Sequence, residues 1–346
     1  MAITLKDVAQ KAGVAPSTVS LVLNAGKSNV PISEKTRARV SQAAKELGYR
    51  PNPAARGLRL NRTHTVGVVS YDINDPMAIV ITWKLDLLFA DSGYRTVVGD
   101  AMHNDKRAGR HIKEFAATKV DGMVLLSSSW AIDKKALTEA VGTNFPVVSI
   151  GKDFSDKGIQ SFRVDNWLGA RMAVEHLLSL GRESIGIIAG TEMYAPDSEL
   201  RLAGAKEALE QAGVGLPSGR FVREVEGGWN PNAGYRSMKR LMDSADKLDA
   251  VFAFDDCTAF GAIRAIYEAG RSVPDDIAVI GFDDLMVSEF YNPPLTTIRQ
   301  PVTEMTQKTA EYLLSRIEGG SKDNPQLEVF VPELVVRSSC GASISS

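Results

Sequence analysis

Apolar positions change their period along this 346-residue chain, and the changes divide it. In the opening stretch "TLKDVAQKAGVAPSTVSLVLN", Leu5, Val8, Ala9 and Ala12 recur at three- and four-residue spacing, which predicts a short amphipathic helix. Thr4 followed three positions later by Asp7 resembles a capping box, with Asp in place of Glu or Gln. Gly13 allows a turn where a side chain would clash. Pro16 suits the first position of a second helix, where its missing N–H is no loss. Val19, Val22 and Leu23 form the buried stripe of that helix, leaving Ser17, Thr18, Ser20, Leu21 and Asn24 outside it. Two helices this short cannot hold themselves together, so a third must cover them. Ser33 caps it, Val40, Ala43, Ala44 and Leu47 line one side of "EKTRARVSQAAKELG", and Gly48 ends it. Short helix, glycine turn, short helix and covering helix form a helix-turn-helix pattern whose second helix is sized for the DNA major groove.

The next segment, "YRPNPAARGLRLNRT", reads as a linker with one brief helix: Asn52 as cap, Pro53 as start, Ala54 to Leu58 as its body. An exposed leucine, Leu58, between Arg56 and Arg59 is odd for a linker and sensible for a minor-groove wedge. From Val66 onward the pattern changes again. Apolar β-rich runs at 66–72, 95–100, 122–127 and 146–151 alternate with amphipathic stretches. A second set follows at 184–190, 221–226, 250–255 and 278–283. Strands buried on both faces and separated by helices predict parallel sheets flanked by helices, in two similar lobes. Ligands in such sheets bind beyond the carboxyl ends of the strands, hence between the lobes.

Charge sharpens this division. The whole chain has a formal net charge of −2. Up to Arg62, eleven Lys and Arg stand against the three acids Asp7, Glu34 and Glu46, a surplus of eight, so the remainder is acidic. A basic head on an acidic body is what a polyanion-binding module joined to a different module shows. Only Cys257 and Cys340 are present, which fits a reducing compartment rather than a disulfide framework. With no membrane-length apolar run and no signal-peptide pattern, a cytoplasmic location is expected. His103 and His111 lie too far apart for one helical metal face, so no metal is expected. No G-x-G-x-x-G, phosphate-loop or G-x-S-x-G pattern occurs, and neither catalysis nor a cofactor is expected. Trp83 and Trp130 fit core or site equally well.

"TLKDVAQKAGVAPSTVSLVLN", "SEKTRARVSQAAKELGYRPNPAARGL" and "PPLTTIRQP" together resemble the lactose-repressor/galactose-repressor family of bacterial transcription regulators, over nearly the whole chain. The resemblance implies a homodimer on double-stranded, pseudo-palindromic operator DNA, with hinge helices that insert Leu58 beside Ala55. It makes Thr36 a backbone contact. The DNA-facing set is then Leu5, Lys6, Pro16, Ser17, Thr18, Ser20, Leu21, Asn24, Thr36, Asn52, Ala55, Arg56 and Leu58. Ala15 and Leu21 depart from the family's usual residues, which bears on operator sequence. Further implied is a periplasmic-binding-protein-like α/β core with crossovers near Ser161–Asp165, Tyr291–Thr296 and Val329–Val336. The expected organisation is a head at 1–50, a hinge at 51–63 and a core at 64–340. In that core the first lobe would hold about 64–161 and 293–328, the second about 162–292 and 329–340. No leucine heptads follow "ELVVRSSC", so a dimer and not a tetramer is expected.

The expected cleft nominates its own residues. Asp255 and Asp283 each end a strand, where a carboxylate can accept hydroxyl hydrogen bonds. Arg201 offers a planar fork of donors, and Trp229 can stack on a sugar face or a base. By resemblance these four, with Asp197 and Met77, stand where the family holds its small effector, a carbohydrate in the simplest case. The aspartate that holds sugar in the lactose repressor is Gly151 here, which argues against the same ligand. For any single acid, a turn or helix cap is the plainer role. Two other classes remain to be distinguished: a doubly wound enzyme with a DNA-binding head, and a sugar-binding transport protein. The missing nucleophile–base or cofactor pattern weighs against the first, the basic head against the second.

Overall fold

The computed structural model describes residues 3–23, 32–49, 62–127, 144–190, 195–216, 218–223, 229–244, 247–320 and 324–342, with scattered positions between 137 and 142. The chain divides into two compact units, Met1–Thr63 and His64–Ser346.

In the first unit, helices α1 (Leu5–Ala12), α2 (Pro16–Leu23) and α3 (Glu34–Leu47) close around Val8, Ala9, Ala12, Val19, Val22, Val40, Ala43 and Ala44. The Thr4 backbone N–H donates to the Asp7 carboxylate at 2.7 Å, satisfying a donor ahead of α1. Gly13 sits in the left-handed region at φ 62° and ends α1, with the Val14 N–H donating to Ala9 O at 3.1 Å. An exposed Lys11–Glu46 pair, 2.8 Å apart, joins α1 to α3.

The second unit holds two six-stranded sheets. The first contains β1 (Thr65–Ser70), β2 (Arg95–Asp100), β3 (Gly122–Ser127), β4 (Val147–Gly151), β5 (Gln160–Val164) and β11 (Leu327–Phe330), in the order β11-β5-β4-β3-β1-β2. All its pairings are parallel. Helices α4 (Pro76–Asp91), α5 (Asp105–Ala117) and, late in the chain, α11 (Val302–Ile317) pack on it. The second contains β6 (Ile185–Ala189), β7 (Phe221–Arg223), β8 (Ala250–Ala253), β9 (Ala278–Asp283), β10 (Thr296–Arg299) and β12 (Glu333–Val335), in the order β12-β10-β9-β8-β6-β7. Among the described strands there, β12 alone runs antiparallel, against β10. Helices α6 (Asn166–Ser179), α7 (Ala195–Gln211), α8 (Pro231–Ser244), α9 (Asp256–Glu268) and the short α10 (Met286–Phe290) belong to this lobe.

Successive residues of the second sheet enter opposite cores. Ile187, Phe252 and Ile280 join one buried cluster, and Ile188, Val251 and Val279 the other. Such two-sided burial is why these strands read as continuous apolar runs. Of the three expected crossings one moves, that at Tyr291–Thr296, while the other two lie within the stretches named for them. β5 belongs wholly to the first sheet, so the first crossing follows Val164. β10 pairs with β9 in the second sheet, so the second crossing comes after Arg299 and not at Tyr291–Thr296. β11 stays in the first sheet through Phe330 before the chain returns at β12. Neither β10 nor β12 carries a local sign of which sheet it joins, because its ladder partners are distant in sequence.

Candidate functional site

Two surfaces concern function, one in each unit. On α2, Pro16 and Ser17 are exposed, while Thr18 and Leu21 are half-buried. Ser20 departs from expectation: it is only 5% exposed. The helix is wedged between α1 and α3, which widens its buried arc on that side and leaves Leu23 half-covered. Ser20 therefore sits against the packed side of the helix. Lys6 is exposed, whereas half-buried Leu5 packs on the head's core. Thr36 lies in the first turn of α3, its N–H donating to the Ser33 cap at 3.3 Å. Asn24, Asn52, Ala55, Arg56 and Leu58 lie outside the described residues, as does Trp130.

In the second unit a cleft opens between the lobes, at the carboxyl ends of the strands. Met77, Asp197, Arg201, Trp229, Asp255 and Asp283 all line it. Arg201 is its most heavily constrained member. Its Nε donates to Asn166 Oδ1 at 2.7 Å, and its Nη1 to the Phe254 carbonyl. Its Nη2 lies 4.0 Å from Asp283 Oδ1. The guanidinium stacks 3.7 Å over the Phe282 ring and 5.6 Å from the Trp229 ring. Asn166, the first residue of α6, completes the relay by donating Nδ2–H to Asp197 Oδ1 at 2.9 Å. The Trp229 ring is seated against Gly190, where any Cβ would come within 2.6 Å of it.

The four cleft carboxyls differ in what remains free. Asp75 caps α4, accepting from the Met77 and Ala78 N–H groups at 2.8 and 3.0 Å. Asp255 caps α9: Thr258 donates its N–H to Oδ1 at 2.8 Å and its hydroxyl to Oδ2. The plainer role thus occupies most of Asp255, although it lines the cleft. Asp283 accepts Gln300 Nε2–H at 2.6 Å through Oδ1. Burial pushes the carboxyl of Asp283 well above the usual range, against the pull of Arg201. Asp197 is raised by burial and opposed by Arg201 and Arg163. Burial lifts Asp255 to about 6, with the Thr258 hydrogen bonds opposing. Asp256, the next residue along from Asp255, sits in a buried knot. It accepts from the Leu285 N–H at 2.8 Å and the Ser288 and Thr297 hydroxyls at 2.6 and 2.5 Å.

The first unit matches the family described as bacterial regulatory proteins, lacI family, over residues 4–52, and residues 174–340 match a periplasmic binding protein-like domain. The chain is 33% identical to the ribose operon repressor of Escherichia coli (strain K12), over 97% of this chain and 99% of that one. It belongs to the lacI family. This lacI-family chain is also 34% identical to the HTH-type transcriptional repressor CytR of the same organism, covering 92% of this chain and 91% of that one. Among solved structures it is similar to the lac repressor dimer bound to operator and the anti-inducer ONPF. The TM-score is 0.84, with 29% identity over 99% of this chain and all of that one.

Sequence reasoning missed part of the lacI-family cleft: Tyr71, Asp75, Ser127, Arg163, Asn166 and Gln300. The strand-end rule that nominated Asp255 and Asp283 applies equally to Ser127, the last residue of β3, and would have found it. Arg163 and Gln300 gave no such signal, because their strands' lobe membership was misread or left open.

Proposed function

We propose that this protein is a repressor that binds a pseudo-palindromic operator as a homodimer through α2, and that a small carbohydrate in the interlobe cleft controls it. One observation carries the reading: a helix-turn-helix head is joined to a cleft whose Arg201, Asp197 and Asp283 face one space with hydrogen-bonding capacity to spare. The named relatives are repressors and not enzymes, and this reading assigns the chain no catalysis. Among solved relatives of the same fold, one lacI-family regulator holds ribose. Another is in complex with cellobiose.

Apolar surface supports the dimer. Ile79, Trp83 and Leu87 recur every fourth residue along α4, and Trp83 is 57% exposed. On the second lobe Met286 and Phe290 of α10 are 86% and 77% exposed. Contiguous apolar stripes of this kind are covered in a symmetric assembly. Among the described residues no helix is long and apolar enough to cross a membrane. The test is a mobility shift on DNA upstream of the protein's own gene, with and without free sugars. A retarded complex that is steep in salt and altered by one sugar is expected. No retardation at any salt concentration would refute the reading.

A further inference from the structure

Helix α2, Pro16–Leu23, carries no charged, amide or imidazole side chain. Among the described residues, the cations of the three-helix head sit on its other helices: Lys6 and Lys11 on α1, and Lys35, Arg37, Arg39 and Lys45 on α3. Contacts from such groups to phosphates add affinity without regard to sequence. The forked contacts that pick out guanine or adenine come from Arg, Lys, Asn or Gln, and α2 has none of these. Its serines and threonine discriminate weakly, because a hydroxyl both donates and accepts. Leu21 is the side chain that remains. Val19 and Val22 belong to the core of the head, and Leu23 packs on it. Leu21 is half-buried, yet among the described residues it is neither part of that core nor packed on it. It lies one turn beyond the exposed Ser17, on the outer face of the helix. The apolar group that base edges present in the major groove is the pyrimidine C5-methyl.

We propose that Leu21 reads this methyl group, so that the chain selects thymine at one position of each operator half-site and accepts 5-methylcytosine in its place. This rests on α2 being the groove-reading helix of the proposed function. The basic surplus of the head brings the duplex to this face, and Leu21 then meets the one part of it that is not polar. Thymine and 5-methylcytosine share the C5-methyl, which uracil and cytosine lack. Thymine and uracil both present the O4 acceptor and both pair with adenine, so the methyl can be removed while the hydrogen bonds stay. Burying one such methyl against leucine is worth about fourfold in affinity, and roughly fifteenfold across two symmetric half-sites. Methylation of a cytosine at that position therefore strengthens binding instead of blocking it.

The test uses the full chain and the operator duplex footprinted in DNA upstream of its own gene. Each half-site thymine is replaced in turn, symmetrically, by deoxyuridine, by cytosine paired with guanine, and by 5-methylcytosine paired with guanine. Mobility shift at fixed salt reads the affinity. At one position deoxyuridine should weaken binding roughly fifteenfold, and 5-methylcytosine should bind more tightly than cytosine by about the same factor. In Leu21→Ala the methylated and unmethylated member of each pair should bind alike. The salt dependence should stay that of the wild type, since no phosphate contact is removed. Leu21→Met, which keeps an apolar reach, should retain the preference. A merely structural role would weaken every duplex equally and leave the methyl preference intact. A deoxyuridine penalty that survives in Leu21→Ala overturns the proposal, as does a footprinted half-site without thymine. If Leu21→Ala retards no duplex, Leu21→Met decides, and a lost preference there overturns the proposal. No penalty at any thymine, with salt-steep retardation by the wild-type chain, overturns the methyl reading and leaves the proposed function standing. No retardation of any duplex by the wild-type chain overturns both.

Discussion

Asp283 holds its carboxylate in the cleft from a backbone that a side chain rarely adopts, φ 122°, and Asp284 follows at φ 54°. Such residues persist only where neighbours over-determine them. Here Gln300 holds Asp283, while Arg299 Nε and Arg337 Nη2 donate to Asp284 at 2.6 and 2.7 Å. Replacing Asp283 with Ala should weaken the ligand by about 1–3 kcal/mol, the cost of leaving a buried hydrogen-bonding partner unsatisfied. Calorimetry checks it, and an unchanged affinity would place the site elsewhere. Asp256 makes a different prediction. Burial lifts its carboxyl to about 7 from an ordinary 3.8. The folded protein therefore binds more protons than the unfolded chain between those values, so stability falls as pH rises through that window. Asp256→Asn should flatten that fall in urea unfolding series from pH 4 to 7. Asp256→Ala, which orphans the Leu285 N–H and two hydroxyls, should lose about 2–5 kcal/mol near pH 4, and less as pH rises towards 7.

At the scale of elements, the head depends on one tight turn between two eight-residue helices. Gly13 has open space around a hypothetical Cβ, so substitution there meets backbone strain and not a clash. Gly13→Ala should cost about 1 kcal/mol. Hydrogen exchange should then show about fivefold less protection across α1 and α2, with the second unit unchanged. Unaltered protection would mean that the turn is not under strain. The short β10 shows why some elements escaped sequence reasoning. Its buried Thr296 and Thr297 send their hydroxyls to the Arg337 carbonyl and to Asp256. Such polar positions hide a buried strand from any search for apolar runs.

For the whole molecule, the exposed stripe of Ile79, Trp83 and Leu87 is apolar surface that a single chain leaves uncovered. Trp83→Arg should leave the chain folded, since the ring is mostly in water, and should weaken self-association. Sedimentation velocity at micromolar concentration should show a dimer for the native chain and a larger monomer fraction for the variant. Operator affinity should fall in parallel, because two half-sites are held together only by a dimer. A variant that remains fully dimeric would remove α4 from the interface.

Local pattern determined much of this protein. The three head helices were legible because a capping aspartate, a left-handed glycine and apolar spacing act within a few residues of one another. The inner strands β1, β3, β6 and β8 were legible as apolar runs, because covering both faces of a sheet leaves no polar side to alternate. Arg201, Asp255 and Asp283 could be named from family likeness and strand ends. Tertiary structure alone decided what they meet: that Thr258 occupies the Asp255 carboxylate, that Ser20 is enclosed, and that Asp256 is a knot and not a ligand contact. It also decided which sheet takes β5 and β10, and so brought Arg163 and Gln300 to the cleft beside Ser127 and Gly151. The physical reason is separation along the chain. Periodicity and capping are set by neighbours within a turn or two, whereas strand order and side-chain convergence are set by which distant segments close the same core.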